Sequence, residues 1–138
     1  MKNVLITGSS GYIGQHLVKL LREDYEVYGI DNKFCHNDYL KRNNFMDIDI
    51  RYDIQSFLFL MKEWPTEFDA VIHLAGLTKV KEGENAPIMY YITNLNGTMN
   101  VLHKAKTKNF IFISTDLAET CPNVVGLSKR IAEDVVRE

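Results

Sequence analysis

The feature that most constrains the fold is a glycine-rich turn near the amino-terminal end of the chain. Gly8, Gly11 and Gly14 are spaced three residues apart, between the apolar run Val4–Ile6 and a segment with helical apolar spacing. Glycine allows a sharp turn and a close approach of ligand to backbone, because it has no Cβ. A strand, such a turn and a helix in this order predict an α/β fold whose helix start binds a phosphate group through free backbone amides. A tight turn that binds no ligand is the alternative interpretation.

Apolar segments of two kinds alternate along the rest of the chain. Short runs rich in β-branched and aromatic residues indicate strands, and longer segments with apolar residues every three or four positions indicate helices. The predicted strands are Val4–Ile6, Glu26–Ile30, Ile48–Tyr52, Asp69–Leu74 and Asn109–Ser114. The predicted helices are Gly11–Glu23, Asp38–Asn43, Ser56–Glu63, Ile88–Lys106 and Gly126–Glu138. About five nearly continuous apolar strands separated by helices predict a Rossmann-type, doubly wound parallel sheet that is covered on both faces.

The apolar pattern also predicts which helix faces are buried. On the first helix we expect a buried stripe that comprises Ile13, Leu17, Leu20 and Leu21. On the longest helix we expect a buried stripe that comprises Ile88, Ile92, Leu95, Met99 and Leu102. Both sets have the three- and four-residue spacing of one helix face. The aromatic residue of the glycine-rich turn, Tyr12, is predicted to pack in the core.

The composition narrows the classes of function. The chain has 138 residues, a net charge of −2 and a hydrophobic fraction of 46%, which predict one globular domain over residues 1–138 with neither a nucleic-acid nor a membrane partner. Its apolar runs stay below the roughly 18 residues of a membrane span, and its start lacks the layout of a signal peptide. Cys35 and Cys121 have no metal-binding spacing, and neither do the histidines. We therefore expect a cytoplasmic protein without a metal site.

A carboxylate follows the second predicted strand and points to a particular cofactor. Asp31 can accept hydrogen bonds from both hydroxyls of an adenosine ribose, and it would repel a 2′-phosphate at the same place. NAD is therefore the predicted cofactor, in preference to NADP, although a solvated loop aspartate is the alternative. The candidate cofactor-binding residues of this amino-terminal part are Gly8, Ser10, Gly11, Tyr12, Ile13, Gly14, Asp31 and Asn32.

Several motifs, in order along nearly the whole chain, carry a family resemblance. The turn Gly8–Gly14, the segment His73–Leu77 (HLAGL) and the segment Asn94–Thr98 (NLNGT) resemble motifs of the extended short-chain dehydrogenase/reductase superfamily, the NAD-dependent epimerases and dehydratases of nucleotide sugars. The middle of the chain is similar to the UDP-glucose 4-epimerase branch. The end, Phe112–Ala118 and Pro122–Arg130, is similar to the inverting 4,6-dehydratases of polysaccharide biosynthesis. The resemblance adds as cofactor-binding residues Asp53, Ile54, Leu74, Ala75, Gly76, Asn94 and Lys129.

The resemblance also implies a reaction. Members move a hydride from C4 of the sugar to the nicotinamide, while a tyrosine four residues before a lysine on one helix face takes the hydroxyl proton. Lys129 matches that lysine and Thr115 matches the strand-end hydroxyl, but Val125 stands at the tyrosine position. Leu117 likewise replaces the lysine base of the dehydratases. The resemblance therefore leaves Thr115, Asp116 and Lys129 as catalytic candidates, with a helix cap as the alternative role for Asp116.

Two functions remain open at this point. The first is an NAD-dependent nucleotide-sugar epimerase or dehydratase of reduced size, and the second is a non-catalytic NAD-binding module or subunit. Members of the superfamily continue into a substrate-binding region, which we expect to be absent because the chain ends one helix after the active-site motif. The resemblance further implies a homodimer through the helix Ile88–Lys106 and the last helix, or else a partner chain that supplies the missing half.

Overall fold

Five parallel strands form one sheet in the computed structural model, which describes residues 1–33, 42–52 and 62–138. The strand order is β3-β2-β1-β4-β5, so the chain starts in the centre of the sheet and builds outward on both sides. The strands are β1 (Lys2–Thr7), β2 (Tyr25–Asp31), β3 (Phe45–Asp47), β4 (Ala70–His73) and β5 (Phe110–Phe112). The predicted Rossmann-type parallel sheet of about five strands is confirmed.

Helices connect the strands and cover the sheet. They are α1 (Tyr12–Leu21), α2 (Val80–Asn85), α3 (Pro87–Tyr91), α4 (Gly97–Lys104), α5 (Leu117–Thr120) and α6 (Val124–Arg137). A π-helical turn (Ile92–Asn96) joins α3 to α4, so the predicted long helix is present but is not α-helical throughout. A single 3₁₀ turn (Arg42–Asn44) precedes β3. The short helices α2 and α5 were not predicted, because six and four residues are too few to show a helical apolar period.

The core lies on both faces of the central strand. On β1, Val4 and Ile6 pack with Val18 of α1 on one face, while Leu5 packs with Val101 of α4 on the other. Consecutive side chains of a strand point to opposite faces. Three consecutive apolar residues are therefore what a strand covered on both sides requires.

The third strand was predicted at the wrong residues. β3 consists of Phe45–Asp47, whereas the predicted strand Ile48–Tyr52 is not a strand. The Ile48 amide still bonds to the Asp31 carbonyl at 2.9 Å, and the chain then turns with Tyr52 N donating to Asp49 O at 3.1 Å. Ile48 and Ile50 are buried in the core although they follow the strand. Their alternating burial imitates a strand pattern.

The buried faces of two helices also differ from the prediction. On α1, Val18 is fully buried while Leu20 is 70% exposed and Ile13 is 54% exposed. Along the segment from α3 to α4, the buried residues are Tyr90, Asn94, Gly97, Thr98, Val101 and the following Ala105. Several of these are polar, and they bond within the fold, so apolarity did not reveal the buried face. The predicted apolar stripe faces outward instead, with Ile88 at 70% and Met99 at 45% exposure.

Some predictions cannot be compared with the described residues. The predicted helix at 56–63 lies mostly outside them, the helix at 38–43 lies mostly outside them, and Cys35, Asp53 and Ile54 lie wholly outside them. Within the described ranges there is no group of three or more His, Cys, Asp or Glu side chains that is arranged to hold a metal ion. In the same ranges no helix has both the length and the apolarity that crossing a membrane requires.

Candidate functional site

The glycine-rich turn is closely packed between two strand ends. Gly8 has a left-handed φ of 71°, and its amide donates to Ile30 O at 2.8 Å. A Cβ at Gly8 would lie 2.8 Å from Ala75 N, and one at Gly14 would lie 2.2 Å from Gly8 O. Both distances are too short for a side chain, so these positions require glycine. At Gly11 a Cβ would meet only Gly8 O, at 3.3 Å, because this part of the turn faces open space.

Two adjoining cavities at the carboxyl ends of the strands form one cleft. They have volumes of about 540 and 330 Å³ and share Gly8, Gly11 and Leu74, so the glycine turn lies at their junction. The larger cavity is further lined by Ser10, Asp31, Asn32, Lys33, Ile48, Asp49, Ile50, Ala75, Gly76, Leu77 and Thr93. The smaller cavity is further lined by Tyr12, Ile13, Gly14, Thr78, Ile113, Ser114, Thr115, Leu117, Val125 and Lys129. The cleft thus brings together most of the predicted site residues.

Asp31 is held in place at one end of the cleft by backbone amides. Its carboxylate accepts a hydrogen bond from Ser10 N at 3.0 Å and another from Lys33 N at 3.1 Å. The Ser10 hydroxyl oxygen is buried and has no hydrogen-bond partner among the described residues. Buried polar groups in native proteins are nearly always satisfied. A water molecule or a ligand in the cleft would satisfy this hydroxyl.

Asp49 and Ile50 line the larger cavity and were missed by sequence reasoning. Arg51 donates to both Asp49 carboxylate oxygens, each at 2.9 Å from Nε. This hydrogen bond is the main reason that the pKa of Asp49 is lowered. The sequence signal that could have revealed Asp49 is its position just after β3, the neighbour of the strand β2 that ends at Asp31. The family resemblance pointed to Asp53 instead, which lies outside the described residues.

Lys129 lies at the other end of the cleft. It is only 4% exposed, and its Nζ donates to Ile113 O at 3.1 Å and lies 4.7 Å from the centroid of the Phe112 ring. Burial without a carboxylate disfavours an ammonium group. Burial accordingly lowers the pKa of Lys129 to about 8.

The other catalytic candidates are divided between the cleft and a helix end. Thr115 lines the smaller cavity. Asp116 is exposed and caps α5, its Oδ1 accepting a hydrogen bond from Leu117 N at 3.0 Å. Val125 is 2% exposed and lines the smaller cavity four residues before Lys129, so no titratable group occupies the tyrosine position.

Three predicted cofactor-binding residues have surroundings that the sequence did not show. Asn94 is 1% exposed. Its Oδ1 accepts a hydrogen bond from Leu77 N, and its Nδ2 donates to Leu77 O and to Ser128 Oγ. Tyr12 is 83% exposed at the rim of the smaller cavity, which corrects the prediction that it packs in the core. Ile13 lies beside it and is also exposed.

The comparison with known families decides the affiliation. The model of the NAD dependent epimerase/dehydratase family matches residues 4–133. The chain belongs to this family. Among curated family members, UDP-glucose 4-epimerase 2 of Arabidopsis thaliana is 35% identical over an alignment of 130 positions, which covers 83% of this chain and 36% of the plant protein. UDP-glucose 4-epimerase of Klebsiella pneumoniae is 36% identical over an alignment of 126 positions, which covers 81% of this chain and 88% of that protein.

Solved structures of epimerases share the fold. The UDP-glucose 4-epimerase of Brucella ovis, solved in complex with NAD, has a TM-score of 0.81 and 30% identity to this chain. That comparison covers 98% of this chain and 46% of the Brucella chain. The present member of the epimerase/dehydratase family therefore spans less than half the length of the Arabidopsis and Brucella proteins, although it spans most of the Klebsiella protein.

Proposed function

We propose that the cleft binds NAD, with the adenosine part in the larger cavity and the nicotinamide part in the smaller one. The observation that carries this proposal is the continuity of the cleft. The glycine turn lies at the junction of its two cavities, Asp31 lines the larger one, and Lys129 lines the smaller one. A dinucleotide has its diphosphate between two nucleosides, and a Rossmann-type fold holds the diphosphate at its first helix start.

The residues of the cleft fit such a ligand. No side chain caps the start of α1, and the first turn contains no acidic residue, so its amides are available to an anion. Gly11 leaves the approach open, and the unpartnered hydroxyl of Ser10 supplies a further hydrogen-bonding group. Asp31 is oriented by the backbone amides of Ser10 and Lys33, and it provides the carboxylate that a ribose diol requires. A 2′-phosphate would meet that negative charge, so NAD is favoured over NADP.

We further propose that the chain serves nucleotide-sugar chemistry, in which the bound nicotinamide supplies a hydride acceptor for C4 of a UDP-sugar. Lys129 would hydrogen-bond the nicotinamide ribose, and its charge would favour loss of a proton from a nearby hydroxyl. The hydroxyl of Thr115, in the same cavity, donates to Asp116 Oδ1 at 3.1 Å and would turn from that partner to hydrogen-bond the sugar oxygen. The named relatives support this substrate class, since they are UDP-glucose 4-epimerases.

Val125 favours a second candidate function, a module that binds NAD without catalysis. An aliphatic side chain cannot accept a proton, and Val125 occupies the helix position from which a tyrosine would do so. Leu117 in the same cavity cannot accept one either. The carboxylate of Asp116 is committed to capping α5 and does not line the cavity.

A turnover assay with a tyrosine variant separates the two candidates. If the first candidate is right, the wild-type chain with NAD converts UDP-glucose or UDP-N-acetylglucosamine. If the second is right, both remain unchanged over hours, because the cleft lacks the proton acceptor. Val125→Tyr places a phenol four residues before Lys129, on the same helix face. Product formation, followed by chromatography of the sugar nucleotides, is expected from the wild type under the first candidate and from this variant alone under the second. Turnover by the wild type would exclude the non-catalytic candidate, and two inactive chains that both bind NAD would favour it.

We also propose that the chain forms a homodimer through an outward-facing helical stripe. The stripe comprises Ile88, Ile92, Leu95, Met99 and Leu102, which are exposed or half-buried. Their spacing alternates between four and three residues, the pattern with which one helix packs against another helix. Val101 of the same helix is fully buried within its own fold and plays no part in the contact.

A charge in this stripe is expected to separate the dimer. Met99→Glu should yield a monomer at micromolar concentration in sedimentation velocity, because an unpaired carboxylate cannot be buried in an apolar contact. Leu20→Glu is the matched control, since Leu20 is 70% exposed on α1, away from the stripe. The proposal is wrong if the wild type sediments as a monomer, or if both variants remain dimeric. A wild-type monomer would favour the alternative of a different partner chain.

A further inference from the structure

A buried hydrogen-bonded chain joins the glycine turn to the core of the sheet. His73, the last residue of β4, is fully buried between two threonines. Thr7 Oγ1 lies 2.6 Å from His73 Nδ1, and Thr98 Oγ1 lies 2.9 Å from His73 Nε2. Thr7 is the last residue of β1 and directly precedes Gly8. These hydrogen bonds therefore connect β1, β4 and α4 at the carboxyl edge of the sheet.

The direction of each hydrogen bond can be worked out from the partners. Thr98 Oγ1 donates its one hydrogen to Asn94 O at 2.6 Å, so it can only accept from His73. His73 therefore carries its proton on Nε2, and its Nδ1 is an acceptor in the neutral ring. Thr7 must then donate to Nδ1, and its oxygen accepts from Ala75 N at 3.2 Å. Protonation of the ring would remove the acceptor at Nδ1 and so break the bond from Thr7. The ring stays neutral because burial, and secondly the charge of Lys129, lowers the pKa of His73 to about 3.

We propose that His73 is a positioning residue for the glycine turn, acting through the Thr7 hydroxyl that its Nδ1 holds. Thr7 and Gly8 approach the end of β4 at three places. Thr7 O accepts from Leu74 N at 3.2 Å, Thr7 Oγ1 accepts from Ala75 N, and Gly8 leaves no room for a Cβ beside Ala75. A rotated Thr7 side chain would disturb this contact and the amides that follow it. The inference rests on the proposed binding of a dinucleotide diphosphate by that turn.

Two amide variants test the hydrogen bonds of the two ring nitrogens of His73 separately. Asparagine at 73 places an acceptor oxygen near the position of Nδ1 and can keep the bond from Thr7, whereas glutamine places a donor nitrogen near the position of Nε2 and can keep the bond to Thr98. We expect His73→Asn to retain NAD affinity within about threefold, and His73→Gln to lose about tenfold, the size of one lost hydrogen bond. Calorimetry measures the affinities, and thermal unfolding measures the stability of both variants.

The measured affinities and stabilities decide whether His73 positions the glycine turn or only supports the fold. Equal losses of affinity in the two variants, in proportion to their losses of stability, would overturn the proposal. A ¹⁵N spectrum of the wild-type imidazole that shows the proton on Nδ1 would overturn it as well, because Thr7 would then not be the donor. If the wild type binds no NAD, the proposed function fails by itself. Hydrogen exchange at Gly8 and Ser9 then still tests the positioning, since it should be faster in His73→Gln than in His73→Asn.

Discussion

Gly14→Ala is expected to abolish measurable NAD binding and to destabilise the fold. The new Cβ would lie 2.2 Å from Gly8 O and 2.8 Å from Ser9 Cα, and neither backbone atom can move without opening the turn. Overpacking of a rigid site typically costs about 1–3 kcal/mol in the free energy of unfolding. The displaced turn would also misdirect the amides at the start of α1, so we expect an affinity loss of about a hundredfold or more. Calorimetry and urea unfolding measure the two effects.

Gly11→Ala is the matched control for this prediction. Its Cβ would meet only Gly8 O, at 3.3 Å, and would otherwise project into the open cleft. The free energy of unfolding should therefore change by less than about 1 kcal/mol, while NAD affinity falls because the methyl group occupies space that a diphosphate needs. Wild-type NAD affinity in Gly14→Ala would contradict the account of the turn.

Lys129→Met is expected to stabilise the unliganded chain and to weaken NAD binding. Burial lowers the pKa of Lys129 from 10.5 to about 8, so the folded chain holds this proton less well than the unfolded chain does. Removing the buried ammonium should raise the free energy of unfolding at pH 7 by about 1–3 kcal/mol, after loss of the bond to Ile113 O. Loss of a charged hydrogen bond to the cofactor should lower NAD affinity about tenfold or more. A residue that costs stability in the free protein is typical of a binding site.

The low pKa of Lys129 also predicts how the free energy of unfolding changes with pH. Below pH 8 the lysine is protonated in both states, and the folded chain carries the full cost of burying the charge. Between pH 8 and 10.5 the unfolded chain binds more protons than the folded chain, so wild-type stability should gain a rising contribution from this residue. Lys129→Met should lack that contribution, and Lys108→Met, at an exposed lysine, should keep it. Parallel stability curves for the wild type and Lys129→Met from pH 7 to 10 would contradict the prediction.

The centre of the sheet was predictable from the sequence because β1 and β2 are buried on both faces along most of their length. Runs such as Val4–Ile6 and Val71–Ile72 are apolar without interruption, and only a strand between two layers of helices uses such a run. The long helical segment from Pro87 to Lys104 was predicted with the wrong face inward. Its inner face includes Asn94 and Thr98, whose bonds to Leu77 and His73 depend on distant parts of the chain. A pattern of apolar residues cannot show such bonds.

The candidate site was predictable where function depends on local chemistry. The glycine turn and Asp31 were predicted from local chemistry because each follows a recognisable strand, whereas Lys129 was predicted from the family resemblance. Asp49 was missed because the end of β3 was placed too late in the sequence, and the role of a residue after a strand depends on where that strand ends. The capping role of Asp116 was foreseen only as an alternative, since α5 has four residues and no visible period.

Titration calorimetry of the purified wild-type chain with NAD tests the central claim most directly, namely that one cleft joins Asp31 to Lys129 across the glycine turn. We expect saturable binding of one NAD per chain, with NADP binding at least about tenfold more weakly because its 2′-phosphate meets the Asp31 carboxylate. Absence of heat with both oxidised and reduced NAD, at several temperatures, would contradict the claim. So would equal affinity for NAD and NADP, which would remove the assigned role of Asp31.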